Sequence, residues 1–154
     1  MSLTLIVDEA SVDSLGCLTG LFIMLKPSLR TLVDICIEYF IRDGDGLSGP
    51  LLGGLCHELE KMVGQNMVET IKLIICVTPG NDCTRWGELD DVLMGYPEGW
   101  PALRNVSLSV NVIGTSRSRD KTVEELRELS MTKLMESKQV QFDFQVRGLE
   151  TRRR

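Results

Sequence analysis

The feature that most constrains the fold is a strand-like run that recurs along the chain. Between residues 106 and 112, aliphatic side chains at even positions alternate with Ser107, Ser109 and Asn111 at odd positions. This period of two is typical of a strand with one buried and one exposed face. Similar runs lie upstream and downstream, and a helical pattern separates each run from the next. The chain is therefore predicted to be an α/β protein of order βαβαβαβαβ.

The strand-like runs have a nearly constant spacing. The inward positions that we align are Ile35, Leu73, Leu108 and Phe144, and the steps between them are 38, 35 and 36 residues. Strands that alternate with helices at a fixed period indicate either a solenoid of strand-helix repeats or a doubly wound sheet.

Two observations favour a short leucine-rich-repeat-like solenoid with a parallel sheet. Leu103, Val106 and Leu108 match the L-x-x-L-x-L strand signature of such repeats, although their usual period is only about 20–29 residues. A doubly wound sheet carries a glycine-rich phosphate loop after its first strand, whereas residues 7–11 are acidic and lack glycine. A doubly wound, flavodoxin-like sandwich remains the alternative, and strand order distinguishes the two.

Several boundaries follow from local patterns. Residues 29–41 are predicted to form the second strand. Residues 67–77 are nearly all apolar, which suits a central strand covered on both faces. Residues 114–121 are polar and are predicted to be a mobile loop. Thr122 and Glu125 fit a capping box that starts the following helix, whose apolar face continues to Leu134.

Size and charge bound the class of protein. The 154 residues suit a single domain, here residues 1–148, followed by a basic tail at 149–154 that ends in three arginines. The formal net charge of -5 argues against nucleic-acid binding, which needs clustered positive charge. Residues 15–25 are apolar but too short to span a bilayer, so no membrane association is expected.

Cysteine usage indicates a reducing compartment. The five cysteines form no C-x-x-C pair, and His57 is the only histidine, so a zinc site has few ligands to draw on. Several cysteines lie inside apolar patterns, where a reduced cysteine acts as a small hydrophobic residue. With no basic segment at the N-terminus, we expect a cytoplasmic or nuclear protein.

No motif predicts catalysis. Residues 43–47 resemble the start of a calcium loop, but Leu47 and Gly54 stand where an EF-hand needs oxygen ligands. Residues 49–54 lack the Gly-Lys-Ser/Thr ending of a phosphate loop. Cys56 and His57 are adjacent on a predicted helix and so do not face each other. We expect a non-enzymatic protein without metal or cofactor; a small α/β enzyme or nucleotide-binding domain is the alternative.

The outward positions of the strands predict a binding face for a protein partner, because the parallel strands of a solenoid line the surface that partners commonly use. This face is predicted to be polar and acidic and to favour a basic or hydrogen-bonding partner. Its residues are Asp34, Glu38, Ser107, Ser109, Asn111, Gln141, Asp143 and Gln145.

The first strand, residues 3–7, is predicted to have an exposed edge. In a solenoid each repeat buries its apolar face against its neighbours, and terminal repeats need caps. No cap precedes this strand in the sequence. We therefore expect it to pair with another chain, which would produce self-association.

Three segments resemble a known family. Residues 86–93 read W-x-x-L-D-x-x-L, residues 101–106 read P-A-L-R-x-V, and a charged helix precedes the V-Q-F-D-F of residues 140–144. Over residues 29–146 the chain resembles the C-terminal, leucine-rich-repeat-like half of F-box-like proteins of mushroom-forming fungi. The resemblance implies the substrate-recognition part of a ubiquitin-ligase component. The leucine- and proline-led F-box itself is absent from the sequence.

Overall fold

The structure is a computed structural model, and it describes residues 1–7, 20–40, 50–79, 86–95, 98–128 and 131–150. Its strands are β1 (Ser2–Val7), β2 (Asp34–Phe40), β3 (Thr70–Val77), β4 (Asn105–Gly114) and β5 (Gln141–Glu150). Its α-helices are α1 (Leu21–Leu25), α2 (Pro50–Met62), α3 (Trp86–Met94), α4 (Ser116–Arg127) and α5 (Thr132–Glu136). A short 3-10 helix, Lys26–Ser28, follows α1 directly.

The strands form one parallel sheet in the order β1-β2-β3-β4-β5. A parallel pair needs a crossover connection, which is usually a helix. A flavodoxin-like sheet would have the strand order 2-1-3-4-5 instead. The α/β class is confirmed, and the strand order is the one that a strand-helix repeat predicts.

The register makes the repeat more regular than the sequence indicated. Leu73, Leu108 and Phe144 lie side by side, as predicted. Their neighbour on β2 is Ile37 and not Ile35, so the predicted alignment of β2 was wrong by two residues. From Ile37 the steps to the three aligned residues are 36, 35 and 36 residues.

The helices bury one face of the sheet. The inward side chains of β2, β3 and β4 are almost completely buried and belong to a single core with residues of the helices. Neighbouring helices also contact each other, α1 with α2, α2 with α3 and α3 with α5. On the other face Lys72 is exposed. The prediction that β3 is covered on both faces was therefore wrong.

β2 begins at Asp34, five residues later than predicted. Leu29 and Leu32 precede the strand and are 2% and 0% exposed. They reach the core from the turn that follows the 3-10 helix, so they extend the apolar pattern without belonging to the strand. Apolar periodicity alone does not separate these two cases.

The predicted mobile loop is helical from Ser116 onward, because α4 begins six residues before Thr122. Thr115 occupies the N-cap position, and the Thr122 hydroxyl donates to the Ser118 carbonyl at 3.0 Å within the helix. The prediction of a capping box at Thr122 and Glu125 was therefore wrong. The first turns of α4 are polar, so they carry no apolar period that would have revealed them. The predicted helix continuing to Leu134 is divided into α4 and α5.

Both ends of the described sheet bear on the predictions. β1 pairs only with β2 among the described strands, so it lies at the sheet edge, and self-association through it stays a prediction. β5 extends to Glu150, two residues into the predicted tail. Residues 151–154 lie outside the described part of the chain, as do residues 43–47 and 49.

A buried carboxylate joins the first two helices. Glu58 on α2 is 1% exposed, and it accepts hydrogen bonds from the Phe22 N–H at 2.8 Å, the Gly20 N–H at 3.3 Å and the Lys61 ammonium at 2.6 Å. The carboxylate thus occupies the N-terminal end of α1, where unpaired N–H groups favour a negative charge. Burial by itself raises the pKa of Glu58, but these hydrogen bonds and the Lys61 charge together lower it below its ordinary value.

A second buried carboxylate joins α3 to the N-terminal end of α5. Asp90 on α3 is 4% exposed and accepts the N–H groups of Lys133 at 3.0 Å and Leu134 at 2.9 Å. Buried Asn66 connects the turn after α2 to the turn before β4, because its amide donates to the carbonyls of Met62 at 2.8 Å and Gly99 at 3.2 Å. These contacts between neighbouring strand-helix repeats hold the helices in position relative to each other.

We expect Glu58→Gln to lower the free energy of unfolding by about 1–3 kcal/mol at neutral pH, since a charged acceptor of buried N–H groups is lost. The pKa of Glu58 is lower in the folded chain, so its stabilisation is complete above the ordinary value of 4.5 and disappears as the pH falls through the folded value. Urea unfolding between neutral and acid pH measures both effects.

Glu124→Gln is the matched control for this prediction, because Glu124 is exposed on α4. Its effect should stay within about 0.5 kcal/mol. Equal destabilisation by the two substitutions, or a Glu58→Gln effect that persists unchanged in acid, would contradict the role assigned to Glu58.

Candidate protein-binding face

The sheet surface that points away from the helices is the candidate site, and we call it the open face. It consists of alternate residues of the strands, namely Ser2, Thr4 and Ile6; Asp34, Cys36 and Glu38; Thr70, Lys72, Ile74 and Cys76; Asn105, Ser107, Ser109, Asn111 and Ile113; and Gln141, Asp143, Gln145, Arg147 and Leu149. All of these side chains except Cys76 are exposed or half-buried.

The structure brings all of the predicted site residues onto this face. They occupy four rows that run across the strands: Asp34 with Gln141, Ser107 with Asp143, Glu38 with Ser109 and Gln145, and Asn111 in the fourth row. Neighbouring strands are about 4.8 Å apart, so the rows from β2 to β5 span about 14 Å. The alternation of side chains along each strand was sufficient to predict that these residues share one face.

The sequence analysis missed two cations on the open face. Lys72 lies between Cys36 and Ser107 in one row, and Arg147 lies beside Asn111 in another. The open face therefore carries three carboxylates and two cations among the described residues, so it is less acidic than predicted. Lys72 stands at an outward position of β3, but the apolar residues around it hid the period of two that would have marked it.

Short side chains on β4 lie between longer ones on β3 and β5, and we call this strip of the open face the trough. Ser107 and Ser109 provide its floor, and their hydroxyl groups make no side-chain hydrogen bond within the described residues. Lys72 on β3 stands on one side and has no ion-pair partner among the described residues, and Asp143 on β5 stands on the other. The trough thus offers hydroxyl groups and charges of both signs.

The charged groups on β5 are already joined to each other. The Arg147 guanidinium donates to the Gln145 amide oxygen at 2.5 Å, and the Gln145 amide donates to Asp143 at 3.0 Å. At the other side of the sheet the Ser2 hydroxyl donates to Asp34 at 2.6 Å. These exposed contacts orient the side chains, but their stabilising effect is small.

The cysteines and the histidine of the described residues are not arranged as a reactive pair. Cys56 is buried while His57 points to solvent, so the two do not work as a pair. Burial raises the pKa of the Cys76 thiol; a hydrogen bond from Asn111 at 3.7 Å lowers it, and the Glu38 charge raises it. A thiol in that state is a poor nucleophile. Within the described ranges no group of histidine, cysteine and acidic residues is placed to hold a metal ion.

A second concavity, which the sequence did not reveal, lies at the N-terminal ends of the strands. Lys26 and Arg30 border this groove, and Pro27, Met67 and Pro101 supply its apolar wall. The groove arises where the turns before β2, β3 and β4 lie next to each other. None of the described helices has the length and apolar character that a membrane span requires.

The fold and the open face together define the chain as an α/β protein of strand-helix repeats. A comparison with models of protein families, with curated proteins and with solved structures found no match. The resemblance to F-box-like proteins stays a prediction.

We expect Cys36 to react with a thiol reagent much faster than Cys76. Cys36 is half-buried on the open face, whereas Cys76 is 5% exposed and its raised pKa keeps the thiolate scarce near pH 8. Timed alkylation followed by peptide mass spectrometry measures the two rates. Raising the pH should accelerate Cys76 alkylation. Alkylation of Cys76 as fast as that of Cys36 at pH 8 would contradict this expectation.

Proposed function

We propose that this protein is a non-enzymatic interaction scaffold whose open face binds a protein partner. The observation that carries the proposal is the one-sided sheet, in which helices bury one face and the other presents unpaired polar groups. The side chains of Lys72, Ser107 and Ser109 lie on adjacent strands of that face without a hydrogen-bond or ion-pair partner among the described residues. Strand-helix repeat proteins bind partners on their extended concave surfaces.

The chemistry of the trough limits the partner. A partner segment that fits it supplies an acidic group to Lys72 and hydrogen-bonding groups to the β4 hydroxyls. A basic group can reach Asp34 or Glu38 on β2. The resemblance to F-box-like proteins adds that such a partner is a target of a ubiquitin ligase inside the cell. On this proposal the protein acts in a reducing compartment.

The alternative, a small α/β enzyme or nucleotide-binding domain, has less support. Open α/β sheets bind ligands at a topological switch point, where the strand order reverses. The described strands follow sequence order throughout, so they provide no such point. No observation on the described residues favours a reaction over binding.

A photo-crosslinking amino acid in place of Ser109 tests the proposed function. In cell extract we expect it to capture a discrete partner, because Ser109 lies midway along β4 on the open face. The same amino acid in place of His57, which is exposed on α2, should not capture that partner. The measurement is mass spectrometry of the crosslinked adducts.

A second variant establishes that the trough itself is responsible. Ser107→Arg fills its floor and should reduce binding of the identified partner by at least about tenfold, or about 1.4 kcal/mol. As a surface change it should alter stability by no more than about 0.5 kcal/mol. Equal capture from Ser109 and His57, or unchanged affinity in folded Ser107→Arg protein, would refute the proposed function.

A further inference from the structure

Within the described residues, no strand lies beside the outer edge of β5. Among the described strands β5 pairs only with β4, and it is ten residues long. The Gln141 N–H donates to the Arg104 carbonyl at 2.7 Å, so the backbone groups of Gln141 and every second residue after it point toward β4. Those of Phe142, Phe144, Val146 and Gly148 consequently point away from the sheet. Such an edge is a template for pairing with another chain.

The apolar side of β5 is also incompletely covered. Phe142, Phe144 and Val146 face the helix layer but are only half-buried. In the adjacent position of the same layer, Leu108 on β4 is 1% exposed. The two phenylalanine rings stack with their centroids 6.1 Å apart. An apolar strip therefore remains partly open beside the unpaired edge.

The order of charges on β5 identifies the occupant as a second copy. On the open face, Asp143, Gln145 and Arg147 follow one another at alternate positions. If two such strands run antiparallel about a twofold axis at Gln145, each Asp143 lies opposite Arg147 of the other copy. On the inner side Phe144 lies opposite Val146. The two pairs that flank Gln145 are then oppositely charged on the open face and apolar on the inner side, and both kinds of pair favour sheet pairing.

The backbone geometry agrees with this arrangement. The outward-pointing amides of Phe144 and Val146 become hydrogen-bonded partners across the axis. Asp143 and Arg147 then fall in a non-hydrogen-bonded pair, where Cα atoms approach to about 4.5 Å and side chains are closest. A twofold interface of this kind is closed, so it yields a dimer and not a filament.

We propose that two copies of this chain associate through antiparallel β5 strands with Gln145 on the twofold axis. The two sheets then form one continuous sheet, and the two open faces lie side by side. The proposal does not depend on the proposed function, because the backbone edge of β5 makes the pairing, although Asp143 and Arg147 also belong to the open face. It also differs from self-association through β1, which the sequence predicts.

Light scattering coupled to size-exclusion chromatography over a dilution series measures the association. We expect a dimer mass that falls to the monomer mass on dilution. Asp143→Arg places two arginines opposite each other and should raise the dimer dissociation constant at least tenfold. The combined Asp143→Arg and Arg147→Asp exchange restores opposite charges and should restore the dimer. Both positions are exposed, so circular dichroism should show unchanged folding.

Two further variants locate the interface. Gln145→Cys should form a disulfide-linked dimer on mild oxidation, since the two Cα atoms across the axis lie within disulfide range. Gln141→Cys is the matched control on the same strand, and its two copies are too far apart to crosslink. Thr4→Arg on the exposed face of β1 should leave the dimer intact.

Three outcomes would overturn the proposal. These are a monomer at every concentration, a dimer that survives Asp143→Arg but is lost with Thr4→Arg, and equal crosslinking at positions 145 and 141. Loss of the dimer while Ser109 still captures its partner would leave the proposed function standing and remove only this inference.

Discussion

Parallel pairing between strands that are consecutive in the chain obliges the backbone to cross back over the sheet after every strand. Right-handed crossovers place their helices on one face when the strand order does not reverse. In this protein the described strands follow sequence order, so the helices accumulate on one side and the other side stays open. Both the single core layer and the open face are consequences of that one constraint.

The helix layer depends on carboxylates that act between helices. α1 and α5 each have five residues, which is too short for a helix to be stable by itself. Glu58 from α2 and Asp90 from α3 accept the N–H groups at the start of these short helices. The longer helices thus supply both an apolar surface and an N-terminal partner, and these contacts stabilise the short helices.

The open face and the β5 edge meet along one strand. Asp143 and Gln145 belong to the open face through their side chains, while the backbone of Phe144 and Val146 belongs to the edge. Association of two copies would therefore extend the open face without covering its trough on β4. A partner that is long enough to contact both faces would gain affinity from the high effective concentration of the second site.

The local pattern of apolar and polar residues was sufficient to predict much of this fold. Alternation along a strand depends only on neighbouring residues. The α/β class, the repeat near 36 residues and the shared face of Asp34, Ser109 and Asp143 could therefore be predicted from the sequence. Contacts between distant segments decided the rest. Leu29 and Leu32 are buried from a turn, Lys72 stands among apolar neighbours, and the start of α4 has no apolar period. The roles of Glu58 and Asp90 arise from helices separated by 36 to 44 residues, and no local pattern encodes which helix end a carboxylate will reach.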